Sequence, residues 1–199
     1  MHEFIIALRS LIAFTLLTGV AYPLLVTGLG QLANAEAVQG SLLKRGEQVV
    51  GSRWLAQPFQ QSGYFWPRPS AGDYATVASG ASNKGPSSKD LLDKIQERKA
   101  ALLKAHLLPA DAVVPPELLM ASGSGLDPDL SPAAIQFQVN RVAMARGLKA
   151  QDLQPLIQAA TEGPQLVFLG VPRVNVLALN LALDRQFSLK RGLHHEPQS

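Results

Sequence analysis

The 199-residue chain contains no cysteine, and that absence removes several functions at once. There can be no disulfide framework, no thiolate metal site and no cysteine nucleophile. Strong charge of either sign is also missing. Eighteen Lys and Arg against fifteen Asp and Glu leave a net charge of only +3, with the basic residues scattered along the chain. A nucleic-acid partner requires a basic patch or stripe, so none is expected. Four histidines are present: His2 at the start, His194 and His195 at the end, and His106 closing a charged segment. None has metal-ligand spacing with other candidate ligands, so no metal site is expected. Aromatic residues are few, twelve in all, yet six of them fall between Trp54 and Tyr74. No internal repeat is present at any period.

What the sequence does have is one long apolar run. Between Arg9 and Glu36 no residue is charged, and Leu11–Leu29 is almost wholly apolar. At about 1.5 Å per residue such a helix covers roughly 28 Å, close to the ~30 Å hydrocarbon core of a bilayer. The run is read as a retained transmembrane helix. A cleaved signal peptide is the rival, because Ala33-Asn34-Ala35 has the form of a cleavage site. The run exceeds the ~7–15 residues of a signal core, however, and only Arg9 is basic ahead of it. A buried core helix, apolar all round, would need a larger protein around it. Pro23, after Tyr22, is expected to kink the helix unless a neighbour or a local distortion satisfies the freed carbonyl, and Gly19 and Gly28 to permit close approach of other membrane helices. Arg9 precedes the run while Lys44, Arg45 and Arg53 follow it, so the positive-inside count sets no orientation. A short stub followed by a large domain suits a cytoplasmic N-terminus with the domain outside.

The expected organisation is therefore a stub (1–10), a transmembrane helix (11–29), a linker (30–40), an α/β (α+β) domain (41–190) and a disordered tail (191–199). The chain less its anchor leaves about 160 residues, enough for one domain to bury a core of its own. Val49-Val50 and Trp54-Leu55 suggest a short hairpin. The stretch Phe59–Ser70, fixed by Pro67 and Pro69, reads as an ordered loop whose aromatics plug the core or face a partner. Gly80 and Gly85 have phosphate-loop spacing, but Pro86 stands where the loop needs lysine. Ser87 or Ser88 caps a helix to about His106, with Leu91, Leu92, Ile95 and Leu102 on one face. Glu117–Ala121 reads as a short strand. Ser122–Pro132 fits neither a calcium loop nor a nucleophile elbow, and reads as a glycine turn leading to Ser131 as a helix cap. A helix follows from Pro132 to Arg146, ending at Gly147, with Gln138, Arg141 and Arg146 on a common side. Arg141 and Arg146 are placed to hold carboxylates within the domain or anions from a partner, and the within-domain salt bridge is the expected one. Helix at Ala150–Glu162 and strand at Pro164–Val171 follow; Val174–Arg185 alternates like a strand at Leu177, Leu179, Leu181 and Leu183, but its length and strong helix formers favour helix. No catalytic set emerges. A serine hydrolase built on Ser122 or Ser124 and a stand-alone anchored binding module are the alternatives from other classes.

Several blocks, in order, carry a resemblance: Tyr22–Leu25, Gly40–Leu42, Tyr64–Ala71, Ala78–Asn83, Ala121–Pro128, Gln138–Arg146 and Val174–Asp184. Together they resemble the C subunit of bacterial Kdp-type potassium-transporting ATPases over nearly the whole chain. Pro67, Ala81, Lys84 and Asn140 depart from the family's usual residues. The resemblance implies a non-catalytic accessory subunit of the bacterial inner membrane. Its partners would be a channel-like potassium-binding subunit, a P-type ATPase subunit that hydrolyses ATP, a very small peptide subunit and the lipid bilayer. It also implies a catalytic-chaperone role that raises the ATPase subunit's affinity for ATP, carried by position onto Gln138. Potassium is the cargo of the complex, and no cofactor of the chain's own is implied. Tyr64, Phe65, Trp66, Arg68, Ser82, Asn83, Ser122, Ser124, Asp127, Arg141, Arg146, Asn175 and Asn180 lie in the matching blocks and become candidate surface or motif residues. Asp127, Asp129 and Asp184 are candidates for biasing cation entry by their local field. With the domain outside, Gln138 could not touch cytosolic ATP across ~30 Å of hydrocarbon.

Overall fold

The computed structural model describes residues 1–166 and 168–187. The candidate tail 191–199, with His194 and His195, lies outside them. The chain divides into two units, Met1–Leu43 and Lys44–Ser199.

In the first unit the helix is longer than the apolar run. Helix α1 (His2–Leu16), a π-helical turn (Leu17–Ala21) and helix α2 (Tyr22–Val38) follow without interruption, giving 37 residues long and apolar enough to cross a membrane. The helix extends beyond the expected span 11–29 on both sides and runs through most of the expected linker 30–40. Apolarity marks only the segment matched to hydrocarbon, while Gln31, Leu32, Ala33, Glu36 and Ala37 are helix formers in any solvent. The chain departs from helical geometry once, at Asn34 (φ −160°, ψ 82°), whose Oδ1 accepts from Ala37 N at 3.0 Å. At Pro23 a local distortion takes the place of a kink, the second of the two expected outcomes. Pro23 has no N–H to give, and its ring crowds the carbonyl one turn back. The widened turn directly ahead of it absorbs that conflict, and helix resumes.

In the second unit, strand β2 (Gln48–Ser52) pairs with β1 (Leu42–Arg45), not with Trp54-Leu55, which lie in a turn. Helix α3 (Lys89–Ala105) is capped by Ser88 Oγ on Leu91 N. Only Leu102 and Leu103 of α3 are buried; Leu92 is exposed and Leu91 and Ile95 half-buried, so the predicted face is engaged at one end. A single 3₁₀ turn, Pro116–Leu118, replaces the expected strand at Glu117–Ala121. Pro115 and Pro116 fix a geometry that starts such a turn and cannot donate to a sheet.

A small antiparallel sheet has the order β3 (Asp129–Leu130), β5 (Arg173–Asn175), β4 (Thr161–Glu162), with Val174 opposite both Leu130 and Thr161. The antiparallel pairing makes this an α+β unit. The expected strand at Pro164–Val171 is reduced to a single Gln165–Leu169 bridge, and the strand proper comes at Arg173. Gly170 (φ +90°) and Leu166 (φ +50°) turn the chain back before a ladder can grow. Helix α4 (Pro132–Arg146), capped by Ser131, is central: Ala134, Ile135, Gln138, Val139, Arg141, Val142 and Ala143 are all buried. Helices α5 (Ala150–Ala160) and α6 (Val176–Gln186) contribute Leu153, Ile157, Leu179 and Leu183 to the same core. Asn175 caps α6 through Oδ1 on Ala178 N, so the predicted 174–185 helix begins two residues late.

Helices α3 and α4 end in the same way but with different residues. At α4, Gly147 (φ +68°) takes the left-handed position, Leu148 N reaches Ala143 O at 2.9 Å and Gly147 N reaches Met144 O at 3.1 Å. At α3, Leu107 (φ +55°) takes that position, with Leu108 N on Leu103 O at 2.9 Å and Leu107 N on Lys104 O at 3.3 Å. This double bond pattern normally ends on glycine, because a Cβ costs roughly 1 kcal/mol there. Leu107 is also 76% exposed, so its side chain recovers little by packing. Leu107→Gly is therefore expected to stabilise the protein by about 1 kcal/mol, read as a rise in the urea midpoint at unchanged slope.

Candidate functional site

The aromatic loop threads between α4 and α6 as an extended strand without strand neighbours. Consecutive residues of an extended chain point their N–H and C=O groups to opposite sides. Phe65 N donates to Asn180 Oδ1 at 2.9 Å, and Asn180 Nδ2 donates back to Phe65 O at 2.9 Å. On the other side, Trp66 N donates to Gln138 Oε1 at 2.8 Å and Gln138 Nε2 donates to Trp66 O at 3.0 Å. Each carboxamide thus imitates one rung of a β-ladder, from α6 on one edge and α4 on the other. Phe65, Gln138 and Asn180 are almost wholly inaccessible. Burial of these amides is tolerated because their acceptors and donors are matched.

Two arginines of α4 hold the turn just before that strand. Arg146 Nε donates to Gly63 O and Nη1 to Phe187 O, both at 2.6 Å, while Nη2 pairs with Asp184 Oδ1 at 2.8 Å. Its guanidinium lies 4.9 Å from the Tyr64 ring centroid, and Tyr64 Oη donates to Asp184 Oδ2 at 3.0 Å. Burial first, then the Asp184 carboxylate, pushes the Tyr64 hydroxyl above its ordinary pKa. Arg45 bonds the same Asp184 from β1. Arg146 thus meets the expectation of a carboxylate held within the domain.

Arg141 does not. It is 5% exposed, its guanidinium carbon lies 3.9 Å from the Trp66 ring centroid, and among the described residues no carboxylate pairs with it. Its three bonds go to neutral acceptors: Ser62 O at 2.6 Å, Gln138 Oε1 at 2.7 Å and His106 Nε2 at 3.1 Å. Burial pulls its pKa down to about 10. The domain therefore spends polar groups, not counter-charge, on this cation.

His106 completes the cluster. Its ring sits 5.9 Å from Trp66 and 4.7 Å from Phe137, with Nδ1 2.8 Å from Leu102 O. A donor at Nδ1 and an acceptor at Nε2 define the neutral imidazole. Burial holds its pKa below the usual histidine value, against an opposite pull from the Leu102 O bond and with a lesser downward push from the Arg141 charge. In the unfolded chain His106 takes up its proton near its ordinary value of about 6.5. Below that pH the unfolded state binds more protons than the folded one, so stability falls on acidification. The thermal midpoint is expected to drop between about pH 7.5 and about pH 5.5, and the drop is expected to shrink in His106→Gln, which keeps an acceptor for Arg141.

The family described as "KdpC: K+-transporting ATPase, c chain" matches residues 4–185. The chain belongs to the KdpC family. Curated relatives, each named potassium-transporting ATPase KdpC subunit, agree along most of their length. One from Beijerinckia indica is 46% identical over 187 residues, 93% of this chain and 94% of its own. One from Xanthomonas oryzae pv. oryzae is 51% identical over 176 residues, covering 88% and 84%. One from Rhodospirillum rubrum is 51% identical over 186 residues, covering 92% and 95%.

In this KdpC chain the sequence blocks of the resemblance meet in two places. Tyr64, Phe65, Trp66, Gln138, Arg141, Arg146 and Asn180 form the loop clamp. Arg68, Asp127 and Asn175 form a second cluster on the turn before β3. Arg68 Nη1 pairs with Asp127 Oδ2 at 2.9 Å, and Asp127 Oδ1 accepts from Asp129 N at 3.1 Å. Asn175 Nδ2 donates to Arg53 O at 2.8 Å and to Asp129 Oδ1 at 3.1 Å. Gly125 (φ +71°) is required here, since a Cβ would stand 3.0 Å from Gly80 O. The acidic candidates for a cation field are all matched by arginine: Asp127 by Arg68, Asp129 by Arg173, Asp184 by Arg45 and Arg146. Their long-range field is correspondingly short.

Neither serine has a catalytic partner among the described residues. Ser122 Oγ is buried without a hydrogen bond and Ser124 Oγ accepts from Leu126 N at 3.1 Å. Ser82 and Asn83 are exposed, outside both clusters. Gly19, Tyr22, Pro23 and Gly28 lie along the first unit's helix, exposed, with no atom within 4 Å of a Cβ built at Gly28. The sequence marks His106 only as the end of a charged helix, and does not single out Leu107. His106 sits one turn from Leu102 and Leu103 at the buried end of α3, and that apolar pair was the available signal.

Proposed function

We propose that the chain is a non-catalytic accessory subunit of an ATP-driven potassium-uptake complex of the bacterial inner membrane. Its helix His2–Val38 spans the bilayer once, with the N-terminus cytoplasmic and the second unit periplasmic. The Gly19, Tyr22, Pro23 and Gly28 surface packs on membrane helices of partner subunits. Those partners are the channel-like potassium-binding subunit, the P-type ATPase subunit that hydrolyses ATP and the small peptide subunit. The family match over residues 4–185 carries this proposal, supported by the uncharged length of the helix. In cells reliant on this transporter, deletion of the chain is expected to abolish growth at limiting potassium. A tagged ATPase subunit is expected to retrieve the wild-type chain from detergent extracts. Protease added from outside is expected to digest the second unit in spheroplasts, while inverted vesicles protect it.

Any chaperone effect on ATP affinity runs through conformation. Gln138 is fully buried and both ends of its amide are engaged by Trp66 and Arg141, so a nucleotide has no access to it. Its influence is a coupling through the loop clamp, of the ~1–3 kcal/mol typical of linked sites. Gln138→Glu and Asn180→Asp should then alter the apparent ATP affinity of the whole complex in the same direction. An effect of Gln138 alone, with Asn180 silent, overturns this route.

A further inference from the structure

A cavity of about 230 Å³ opens against the Arg141 cluster, lined by Ser62, Ala105, His106, Leu107, Asn140, Arg141, Met144 and Ala145. We propose that it receives an acidic side chain of another subunit of the transport complex, whose carboxylate pairs with Arg141. This rests on the accessory-subunit reading above. Three observations converge on it. Arg146, one helical turn and a residue along α4, is matched by Asp184, whereas Arg141 has only neutral partners among the described residues. A guanidinium carries five N–H donors and Arg141 uses three, so two remain for a carboxylate. A desolvated arginine with donors to spare and no counter-charge is the state that an incoming carboxylate relieves.

The rim points to a protein and not to a free ion. Leu107 and Met144 are 76% and 68% exposed, and flank the cavity with apolar surface that a small anion would leave wet. Leu107 moreover occupies a left-handed position where α4 uses glycine. Retaining a large exposed side chain there costs stability in the isolated subunit, and burial against a partner returns it. An arginine at the centre with apolar side chains around it has the composition of an interface hot spot.

The test leaves Arg141 in place, because its removal would also release Ser62 and Gln138. Asn140→Asp sets a carboxylate of this chain at the cavity mouth, and Met144→Glu does so from the next turn. Each full-length variant is co-expressed with the other subunits and recovered through a tag on the ATPase subunit. Retention is expected to fall severalfold in both variants and to be partly restored in Met144→Gln, which has the length without the charge. Because the chain lacks cysteine, Leu107→Cys gives a unique thiol for a short photo-crosslinker. The expected product joins it to a peptide of another subunit within reach of an Asp or Glu. Wild-type retention of both acidic variants, or crosslinks confined to this chain, overturns the proposal. So does saturable stabilisation of the purified chain by sodium acetate, over sodium chloride, with variant retention intact; that result assigns the cavity to a free carboxylate. Failure of the wild-type chain itself to be retrieved instead overturns the accessory-subunit reading.

Discussion

Gln138→Leu and Asn180→Leu are each expected to lower stability by about 3 kcal/mol. Leucine fills much the same space, so the cost is not a cavity. It comes from stranding the N–H and C=O of one residue in a dry interior, at roughly 1–3 kcal/mol for each unsatisfied group. At position 180 those are the two backbone groups of Phe65, which is completely buried. At position 138 they are those of Trp66, and Arg141 loses an acceptor as well. The acidic variants separate the two sites. Either carboxylate can still accept from the loop N–H, and either faces the loop carbonyl with an oxygen where a donor stood. Asn180→Asp has nothing to offset that repulsion, since all its bonds run to Phe65. Gln138→Glu gains the Arg141 charge at 2.7 Å, so it is expected to be the milder of the two. Urea denaturation followed by tryptophan emission measures all four, with the loop's own Trp66 as reporter.

Arg146→Ala is expected to destabilise by about 3–5 kcal/mol, the range for breaking a buried pair from one side. The Arg146 side chain is 1% exposed, and its removal leaves Gly63 O and Phe187 O unbonded and Asp184 without its inner partner. The outer partner cannot compensate. Arg45 is 59% exposed, and a pair of that kind contributes ~0–1 kcal/mol, so Arg45→Ala should be nearly silent by comparison. Adding Asp184→Asn to Arg146→Ala should recover part of the loss, because the uncompensated carboxylate is then gone. The cycle of these two substitutions measures their coupling directly. If Arg146→Ala costs no more than Arg45→Ala, the packing of the Tyr64 loop does not depend on this ion pair.

Local signals in the sequence translated well into structure. Ser88 and Ser131 cap the helices they were expected to cap, Gly147 ends α4, and the apolar spacing of α4 and α5 buries Ile135, Val139, Val142, Leu153 and Ile157. The errors share a cause. At Glu117–Ala121 and Pro164–Val171 a short apolar run was taken for a strand, but flanking prolines and a left-handed Gly170 decide the backbone there. Apolar runs of five to eight residues fit several structures, and only neighbours choose between them. The loop clamp was illegible for a different reason. Phe65 meets Asn180 across 115 residues and Trp66 meets Gln138 across 72, and nothing local announces that a carboxamide will stand in for a strand. Likewise the spacing of Arg141 and Arg146 suggested one role for both, whereas burial beside His106 gave Arg141 another.

That clamp also sets an order of events as the polypeptide matures. Its rungs come from two helices far downstream, so the Phe59–Ser70 stretch must wait, tethered but unlocked, until the end of α6 has been made and packed. Contacts at such separations reward the chain late, after the entropy of closing long loops has been met. The Trp66 ring is therefore a natural clock for the last step of maturation. A chain stopped short of Asn180 will keep its most aromatic segment open to proteases, however well α3 and α4 have already assembled.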